Sequence, residues 1–376
     1  MVLRLLAISC RYQSITTDVQ VLRHVFTYPH APSSPASPST WNSAMRTSSS
    51  LLVLASAPYA YAWGTLGHET VAFIAEDLIS AKGKAWAQSI LGTSGSGYLA
   101  SVATWADTYR YTAAGKFSAP YHFIDAEDNP PTSCNIDYDR DCGAAGCVVS
   151  AIANYTQRVQ QPDALPGQEL DYALRWLIHF LGDITQPLHD ENLALGGNDI
   201  DVTFDSTSTN LHHIWDTNIP EKLVGGYSLA DAKSWAATLT ADIKTGKYKS
   251  QAASWLGGAS IDDPISAALA WAADGNSYVC SVVLPNGEAA VESTDLGGDC
   301  YSSAVDTVEL QIAKGGYRLA HWLDQIATAQ ADSVHRRFRR DHIPSLDGMD
   351  LLPPPRAISR AKLARAAVGW GCSHEH

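Results

Sequence analysis

The sequence predicts an all-α fold, a mostly helical single domain with at most a small β-hairpin, in a chain of 376 residues. Apolar residues recur at the three- and four-residue spacing of a helix in most segments between residues 65 and 329. A short alternating run follows a glycine turn in 193–210 and is the candidate hairpin. The sequence contains no internal repeat, no glycine-rich phosphate loop and no nucleophile-elbow serine motif. Its 45% hydrophobic residues and 11 Trp are enough for a large core.

The individual helices follow from this periodicity. They are predicted at 65–80, 99–112, 148–160, 168–186, 228–245, 263–275 and 303–329, with a shorter helix that carries His212 and Asp216. The prediction at 168–186 is the strongest, because its leucines form one apolar stripe and Pro187 cannot continue the helix. Thr209 or Asn210 is a candidate cap for the shorter helix. Residues 120–131 are bounded by prolines, so a loop or an extended segment is predicted there.

Both ends of the chain differ from the middle. Residues 45–62 combine a basic residue, a short apolar run and a final Ala-Tyr-Ala, the pattern of a secretory signal peptide cleaved before Trp63. The preceding residues, 1–44, are either an over-extended gene prediction or a genuine leader, and 331–376 are a basic, disordered tail or a read-through. We therefore expect one domain at 63–330 and a secreted protein.

The net charge is concentrated in the middle of the chain. The formal charge is −13, but residues 1–62 hold four basic and one acidic residue, and residues 333–376 hold eight basic and four acidic ones. These ends carry +3 and +4, which leaves −20 on residues 63–332. Such a domain does not bind duplex DNA through a basic patch, and any phosphate it handles needs metal cations to offset its field.

The cysteines agree with an oxidising compartment. Cys134, Cys142, Cys147 and Cys280 lie in the middle, and four cysteines can pair in three ways. Cys142 and Cys147 are close enough for a local loop, which would leave Cys134 with Cys280 and Cys300 outside both bonds. A zinc–thiolate site is the alternative, but no C-x-x-C pair is present. The sequon Asn154-Tyr-Thr predicts glycosylation if the chain is secreted.

Most of the candidate metal-binding residues lie between His179 and Asp216. His179 and Asp183 are four residues apart, as are His212 and Asp216, and His189 lies between the pairs. Side chains four apart share one helix face, so each pair can hold a metal ion, and imidazole with carboxylate suits zinc. One such pair is more simply a salt bridge or a buried histidine. Two pairs with a fifth ligand between them predict a polynuclear metal site.

Further candidates lie upstream. His68 begins the first predicted helix, and a new amino terminus at Trp63 could ligate a metal beside it. Asp107 could instead form an ion pair with Arg110. His122 lies in the Pro-bounded segment, which also holds Phe123 and Asp125.

These motifs together resemble a known family. Trp63-Gly-x-x-Gly-His68, Trp-Ala-Asp107, His122-Phe-Ile-Asp125, the two His-Asp pairs, Pro-Leu-His189 and Asn-Leu-His212 are similar to those of the secreted, single-strand-specific zinc nucleases of fungi and plants. That family belongs to the zinc phospholipase C and nuclease superfamily. The likeness extends from Trp63 to about Ala329.

The resemblance implies three zinc ions. Asp107, His122, His179 and Asp183 match the ligands of the first. His189, His212 and Asp216 match those of the second. The Trp63 amine and carbonyl, with His68 and the other oxygen of Asp183, match those of the third. It also implies an all-α fold and disulfides 134–280 and 142–147.

The same resemblance implies hydrolysis of single-stranded DNA and RNA to 5′-phosphorylated products, with 3′-nucleotidase activity. Two zincs sharing Asp183 would lower the pKa of a bridging water, which would attack the phosphorus. Asp107 would orient this nucleophile, and Arg110 would hold a phosphate oxygen. Phe123 would stack on a base and Asp125 would accept its hydrogen bonds, with Leu195 and Asn218 as further contacts.

Two alternatives remain open at this stage. A zinc phospholipase C shares the amino-terminal Trp and the three-metal site, although Phe123, Asp125 and the cysteine pattern favour the nuclease. A zinc-storing protein without turnover is the other. No membrane association and no protein partner are implied.

Overall fold

Helices make up most of the structure, a computed structural model in which residues 63–337 are described, with side chains to residue 331. All of these residues lie in one compact unit. The predicted segments 1–44 and 45–62, and residues 338–376 of the predicted tail, lie outside the described residues.

The α-helices follow one another with short connections. They are α1 (Thr65–Leu78), α2 (Ala81–Leu91), α3 (Trp105–Tyr109), α4 (Tyr138–Asp141), α5 (Val148–Val159), α6 (Gly167–Asp183), α7 (Ala194–Gly197), α8 (Leu211–His213), α9 (Ile219–Val224), α10 (Leu229–Lys244), α11 (Pro264–Tyr278), α12 (Glu288–Glu292) and α13 (Asp299–Arg337). Short 3₁₀ turns are Ala100–Val102, Lys116–His122, Pro162–Ala164, Pro187–Asp190 and Ala252–Leu256, and π-helical turns are Ile214–Asn218 and Val279–Val283.

A single hairpin forms the sheet of the described region. Its strands, β1 (Asp201–Phe204) and β2 (Thr207–Asn210), are antiparallel, with Asp201 opposite Asn210. The two turn residues, Asp205 and Ser206, have φ values of 48° and 65°, as a tight hairpin turn of this twist requires. This confirms the predicted all-α fold with one small hairpin.

The core is organised around α13. It packs against α1, α2, α6 and α9, and five of its apolar side chains are at most 1% exposed: Val308, Ile312, Leu319, Trp322 and Leu323. At Gly316 a Cβ atom would overlap the side chain of Ile74, so glycine permits the close approach of α13 to α1. On the other side, α5 packs against α6 and α11. The helix α6, which carries two predicted ligands, is thereby held on several sides.

Several predicted elements are confirmed within a few residues. The predictions at 65–80, 148–160, 168–186, 228–245, 263–275 and 303–329 correspond to α1, α5, α6, α10, α11 and α13. The helix cap is Asn210, whose side chain accepts a hydrogen bond from the His213 amide at 2.7 Å. The last helix continues to Arg337, past the predicted domain boundary.

Two predictions about helices were wrong. Helix α2 was not predicted; the Ser80 hydroxyl caps it by accepting from the Gly83 amide and is itself held by Asp324. The predicted helix at 99–112 is broken into a 3₁₀ turn and α3. The break leaves the Ala103 carbonyl to accept a hydrogen bond of 2.7 Å from His179 Nδ1, a contact that sequence periodicity does not reveal.

Both disulfides implied by the resemblance are present. Cys134 is bonded to Cys280, and Cys142 to Cys147, while Cys300 lies outside both bonds. The Cys134–Cys280 bond ties the segment that follows residues 120–131 to the π-helical turn after α11. None of the helices described here combines the length and apolar character that crossing a bilayer requires. Asn154 lies in the middle of α5 and is 3% exposed, which does not favour a glycan; glycosylation stays a prediction.

We expect Asp274 to contribute to the stability of the fold, because it pairs with two buried cations. Its carboxylate lies 2.8 Å from Lys314 Nζ and 2.7 Å from Arg318 Nη2, and those residues are 5% and 3% exposed. Replacing Asp274 with Asn leaves both charges unpaired, so we expect a loss of about 3 kcal/mol in the free energy of unfolding. Thermal unfolding of the Asp274→Asn protein measures this loss.

The pH dependence supplies the control. Burial raises the pKa of Asp274, but Arg318 and Lys314 outweigh it and hold the pKa below its ordinary value of 3.8. The stabilisation is therefore complete above that value and is lost as the pH falls through the folded-state pKa. The difference between wild type and variant should shrink below pH ~4; a difference independent of pH would contradict the assignment.

Candidate metal centre

The first group of ligands comes from three parts of the chain. Asp107 lies on α3, His122 ends a 3₁₀ turn, and His179 and Asp183 are one turn apart on α6. His179 Nε2 lies 3.5 Å from Asp107 Oδ1 and 3.2 Å from Asp183 Oδ2. His122 Nδ1 lies 3.0 Å from the same Asp183 oxygen. All four residues are fully buried.

The second group is formed by residues that follow α6. His189 lies in the 3₁₀ turn Pro187–Asp190, and His212 and Asp216 lie on α8 and the π-helical turn after it. His212 Nε2 is 3.1 Å and His189 Nε2 is 3.9 Å from the Asp216 carboxylate. These three buried side chains place their ligand atoms within 4.8 Å of one another.

The third group lies on the other side of Asp183. His68 Nε2 is 3.1 Å from Asp183 Oδ1, whereas His122 and His179 approach Oδ2. The His68 ring stacks on His179 with 4.0 Å between ring centroids. Trp63 is fully buried beside them, and its indole N–H donates to Thr185 Oγ1 at 3.0 Å. Asp183 therefore touches both the first and the third group.

Backbone carbonyls orient three of the imidazoles. The Nδ1 atoms of His179, His189 and His212 each donate a hydrogen bond of 2.7 Å, to the carbonyls of Ala103, His122 and Gly196. Each ring therefore turns Nε2 toward the centre, as metal-ligating histidines do when the other nitrogen is held.

Gln186 holds a carboxylate in the same way. Its side-chain amide donates to Asp216 Oδ1 at 2.6 Å and accepts from the Leu188 amide. Gln186 was not among the predicted site residues. A polar amide side chain directly before the Pro-Leu-His189 motif could have indicated it. Carbonyl partners leave no such signal, because every residue has one.

The donor atoms fit metal ions. Buried polar atoms are normally hydrogen-bonded, yet several here are not. The ligand-residue atoms without a hydrogen bond are His68 Nδ1 and Nε2, Asp107 Oδ1 and Oδ2, His122 Nε2, Asp183 Oδ1, His189 Nε2 and Asp216 Oδ2. Three carboxylates and five imidazoles form the ligand set that zinc prefers. A multi-metal site accounts for this arrangement better than buried ion pairs do.

The electrostatics of the first group also favour cations. Burial alone lowers the pKa of His179, but Asp183 and Asp107 raise it to about 10. Burial lowers the pKa of His122 to about 3, and the charge of Arg110 adds to this effect. The pKa of Asp107 is lowered to about 2, because His179 outweighs the effect of burial. The carboxylates of this group are therefore ionised and can bind a cation. Such a cation would take the place of the proton on His179.

Arg110 borders the centre. One guanidinium nitrogen lies 3.9 Å from Asp107 Oδ1, and the residue is 7% exposed. The same guanidinium lies 5.1 Å from the Tyr111 ring centroid and donates to the Tyr111 hydroxyl at 3.1 Å. The ion pair between Asp107 and Arg110 that the sequence suggested is therefore present only as a long contact of 3.9 Å.

A cavity of about 280 Å³ contains two of the predicted base contacts. Its lining residues are Pro120, Phe123, Asp125, Asp141, Gly143, Ala144, Ala145, Gly146 and Cys147. Phe123 and Asp125 directly follow His122, so this cavity adjoins the first group. The short disulfide loop forms its opposite wall.

The other two predicted base contacts do not line this cavity. Leu195 lies in a turn with φ 57°, next to the glycine whose carbonyl accepts from His212. Asn218 ends the π-helical turn and lines a separate depression with Lys222 and Tyr227. The structure therefore does not bring Leu195 or Asn218 together with Phe123.

Known proteins are similar to this chain in sequence. Residues 63–328 match the S1/P1 nuclease family. Nuclease PA3 from Penicillium sp and nuclease P1 from Penicillium citrinum are each 58% identical over 264 residues, which are 70% of this chain and 97% of each relative. Nuclease S1 from Aspergillus oryzae is 57% identical over 280 residues, 74% of this chain and 96% of the relative. The chain belongs to the S1/P1 nuclease family.

Proposed function

We propose that the protein is a secreted endonuclease that hydrolyses phosphodiester bonds of single-stranded DNA and RNA to 5′-phosphorylated products, with 3′-nucleotidase activity. The observation that carries this proposal is the presence of three buried groups of metal ligands, two of which meet at Asp183, with an aromatic cavity beside them. The family and the names of the relatives support the same reaction class.

Three zinc ions are proposed for the three groups of side chains. The first would be held by Asp107, His122, His179 and Asp183, the second by His189, His212 and Asp216, and the third by His68, Asp183 and the Trp63 amine and carbonyl. Bound zinc supplies a water of lowered pKa and offsets the negative charge of a phosphate. The zinc-storage alternative lacks support, since the close relatives carry the names of nucleases.

The chain's own residues position the substrate. Arg110 lies at the edge of the centre, where its fork of N–H donors can bind a phosphate oxygen. Asp107 Oδ1 and Oδ2 take part in no hydrogen bond, so one oxygen can orient the attacking water while the other binds metal. Burial of all three carboxylates excludes bulk water and strengthens these interactions.

Selectivity for single strands follows from the cavity. A base can stack on Phe123 and reach Asp125 only when it has left a duplex stack. This mode of binding needs no basic groove, in agreement with the charge of −20 on residues 63–332. A zinc phospholipase C is not favoured, since the relatives reported above are nucleases.

Secretion and cleavage before Trp63 are proposed with this function. The two disulfides support an oxidising compartment, and the family match begins at residue 63. Residues 63–330 are the proposed mature domain.

The test compares substrates and one variant. Wild-type protein should release nucleotides from denatured DNA much faster than from the same DNA as a duplex, and should release no choline phosphate from phosphatidylcholine. Phe123→Ala should raise the KM for denatured DNA about tenfold, because a stacking contact is lost. Leu229→Ala, which removes a 51% exposed apolar side chain that lines neither depression described above, is the control. Equal rates on duplex and denatured DNA would refute the proposed selectivity.

A further inference from the structure

Five aromatic residues form a surface beside the metal centre. This surface, here called the aromatic platform, comprises Trp105, Tyr109, Tyr111, Phe117 and Tyr172. Phe117 is 54% exposed and Tyr111 is 42% exposed, and the other three are partly buried. Among the described residues the structure has four exposed large hydrophobic side chains, and two of them are in this platform.

Three of the five rings, those of Trp105, Tyr109 and Tyr172, form a connected layer. Trp105 stacks on Tyr109 at 4.3 Å between centroids, and Tyr172 lies 4.8 Å from Trp105. Trp176 lies beneath, 2% exposed, and contacts Trp105, Tyr109 and Phe117 edge-on. The platform is therefore supported from below by a buried ring.

Two routes connect the platform to the metal ligands. Trp176 lies 6.3 Å edge-on from the His122 imidazole, directly under the first group. Arg110 is in contact with the Asp107 carboxylate on one side and with the Tyr111 ring on the other. A strand held at the centre would therefore meet the platform as soon as it passed Arg110.

The segment that carries Tyr111 and Phe117 is preformed. Hydrogen bonds close successive turns from Thr112 to the Tyr109 carbonyl and from Lys116 to the Thr112 carbonyl. At Gly115 a Cβ atom would overlap the Tyr109 carbonyl, so only glycine fits this close turn. The rings need little ordering when a ligand binds.

The charges around the platform are compatible with a polyanion. Lys116 is exposed and forms no ion pair within the described region, and Arg110 lies at the inner edge. Arg175 lies over the Trp105 ring at 5.7 Å. The acidic residues at the outer edge are paired, Asp171 with Arg175 and Glu169 with Arg158. Stacking rings with flanking cations are the combination that binds single strands.

We propose that the aromatic platform is an extended subsite that stacks bases of a single strand beyond the nucleotides at the cleaved bond. The inference rests on the proposed function and adds a specificity to it: preference for longer strands over dinucleotides. The phosphates between the stacked bases would contact Lys116, beyond the phosphate that Arg110 binds at the centre.

The test uses the Phe117→Ala/Tyr172→Ala double variant, because Tyr111 also holds Arg110. Its kcat/KM for a single-stranded 12-mer should fall about tenfold or more, while that for a dinucleotide changes less than about twofold. Leu229→Ala, which removes a 51% exposed apolar side chain outside the platform, should change neither value. Phe117→Leu keeps the apolar packing but loses the flat ring, and should reproduce part of the loss on the 12-mer.

Binding supplies a second readout that does not depend on turnover. The Kd of an uncleavable phosphorothioate 12-mer, measured by fluorescence anisotropy, should rise about tenfold in the double variant. If the wild type cleaved neither substrate and the Kd still rose in the double variant, the proposed function would be overturned and the subsite supported. Equal losses on dinucleotide and 12-mer, or no loss on either, would overturn the subsite. A change from dimer to monomer in the double variant, with unchanged Kd, would assign the platform to self-association and also overturn it.

Discussion

Replacing Asp183 with asparagine should lower kcat for single-stranded DNA by at least ~10³-fold, since several kcal/mol of transition-state stabilisation come from bound metal. Asp183 contacts His68 through one oxygen and His122 and His179 through the other. An asparagine has one oxygen instead of two and no charge. It therefore cannot join the first and third groups.

The measurement separates loss of metal from loss of fold. Metal content of purified Asp183→Asn should fall by at least one ion per chain, while far-UV circular dichroism stays that of a helical protein. Asp324→Asn is the control, because Asp324 accepts hydrogen bonds only at the start of α2, far along the chain from the ligands. Wild-type activity in Asp183→Asn with full metal content would contradict the assigned bridge.

Removing metal with a chelator should abolish activity and lower the thermal unfolding midpoint. Asp107, Asp183 and Asp216 are at most 1% exposed, and much of their charge lacks hydrogen-bond donors. Without cations, these carboxylates repel one another in a poorly solvated interior. Bound ions stabilise the folded state by about 4 kcal/mol at a free concentration of 1,000 Kd.

Adding metal ions back to the chelated protein identifies the metal. Zinc added after chelation should return both activity and midpoint, whereas magnesium should not, because five imidazoles suit zinc and disfavour magnesium. Acid should weaken zinc binding, since protons compete for the same nitrogens. Full activity after exhaustive chelation would eliminate metal catalysis by this protein.

Helix positions were largely predictable from the sequence. Apolar residues at helical spacing predicted α1, α5, α6, α10, α11 and α13, because burying one helix face needs little more than that spacing. The hairpin was predictable from a single alternating run. Helix α2 was not, since its apolar face is short and its start depends on Asp324, a residue distant in sequence.

The chemistry of the ligands was also determined by sequence. Pairs such as His179 and Asp183, four residues apart, share a helix face whatever the rest of the chain does. The disulfides implied by the resemblance are present as well. The roles of Leu195 and Asn218 stay predictions, because a contact across a pocket depends on loops whose conformation local sequence does not fix.

By itself the sequence determined which residues can bind metal and which helices carry them, since both follow from residue type and local spacing. Only the tertiary structure decided that His68 and His122, which lie 115 and 61 residues before Asp183, meet on its opposite oxygens. It also decided that α3 is cut short so that the Ala103 carbonyl can hold His179. The physical reason is that long-range packing of α1, α6 and α13 sets these distances, and no local pattern encodes them.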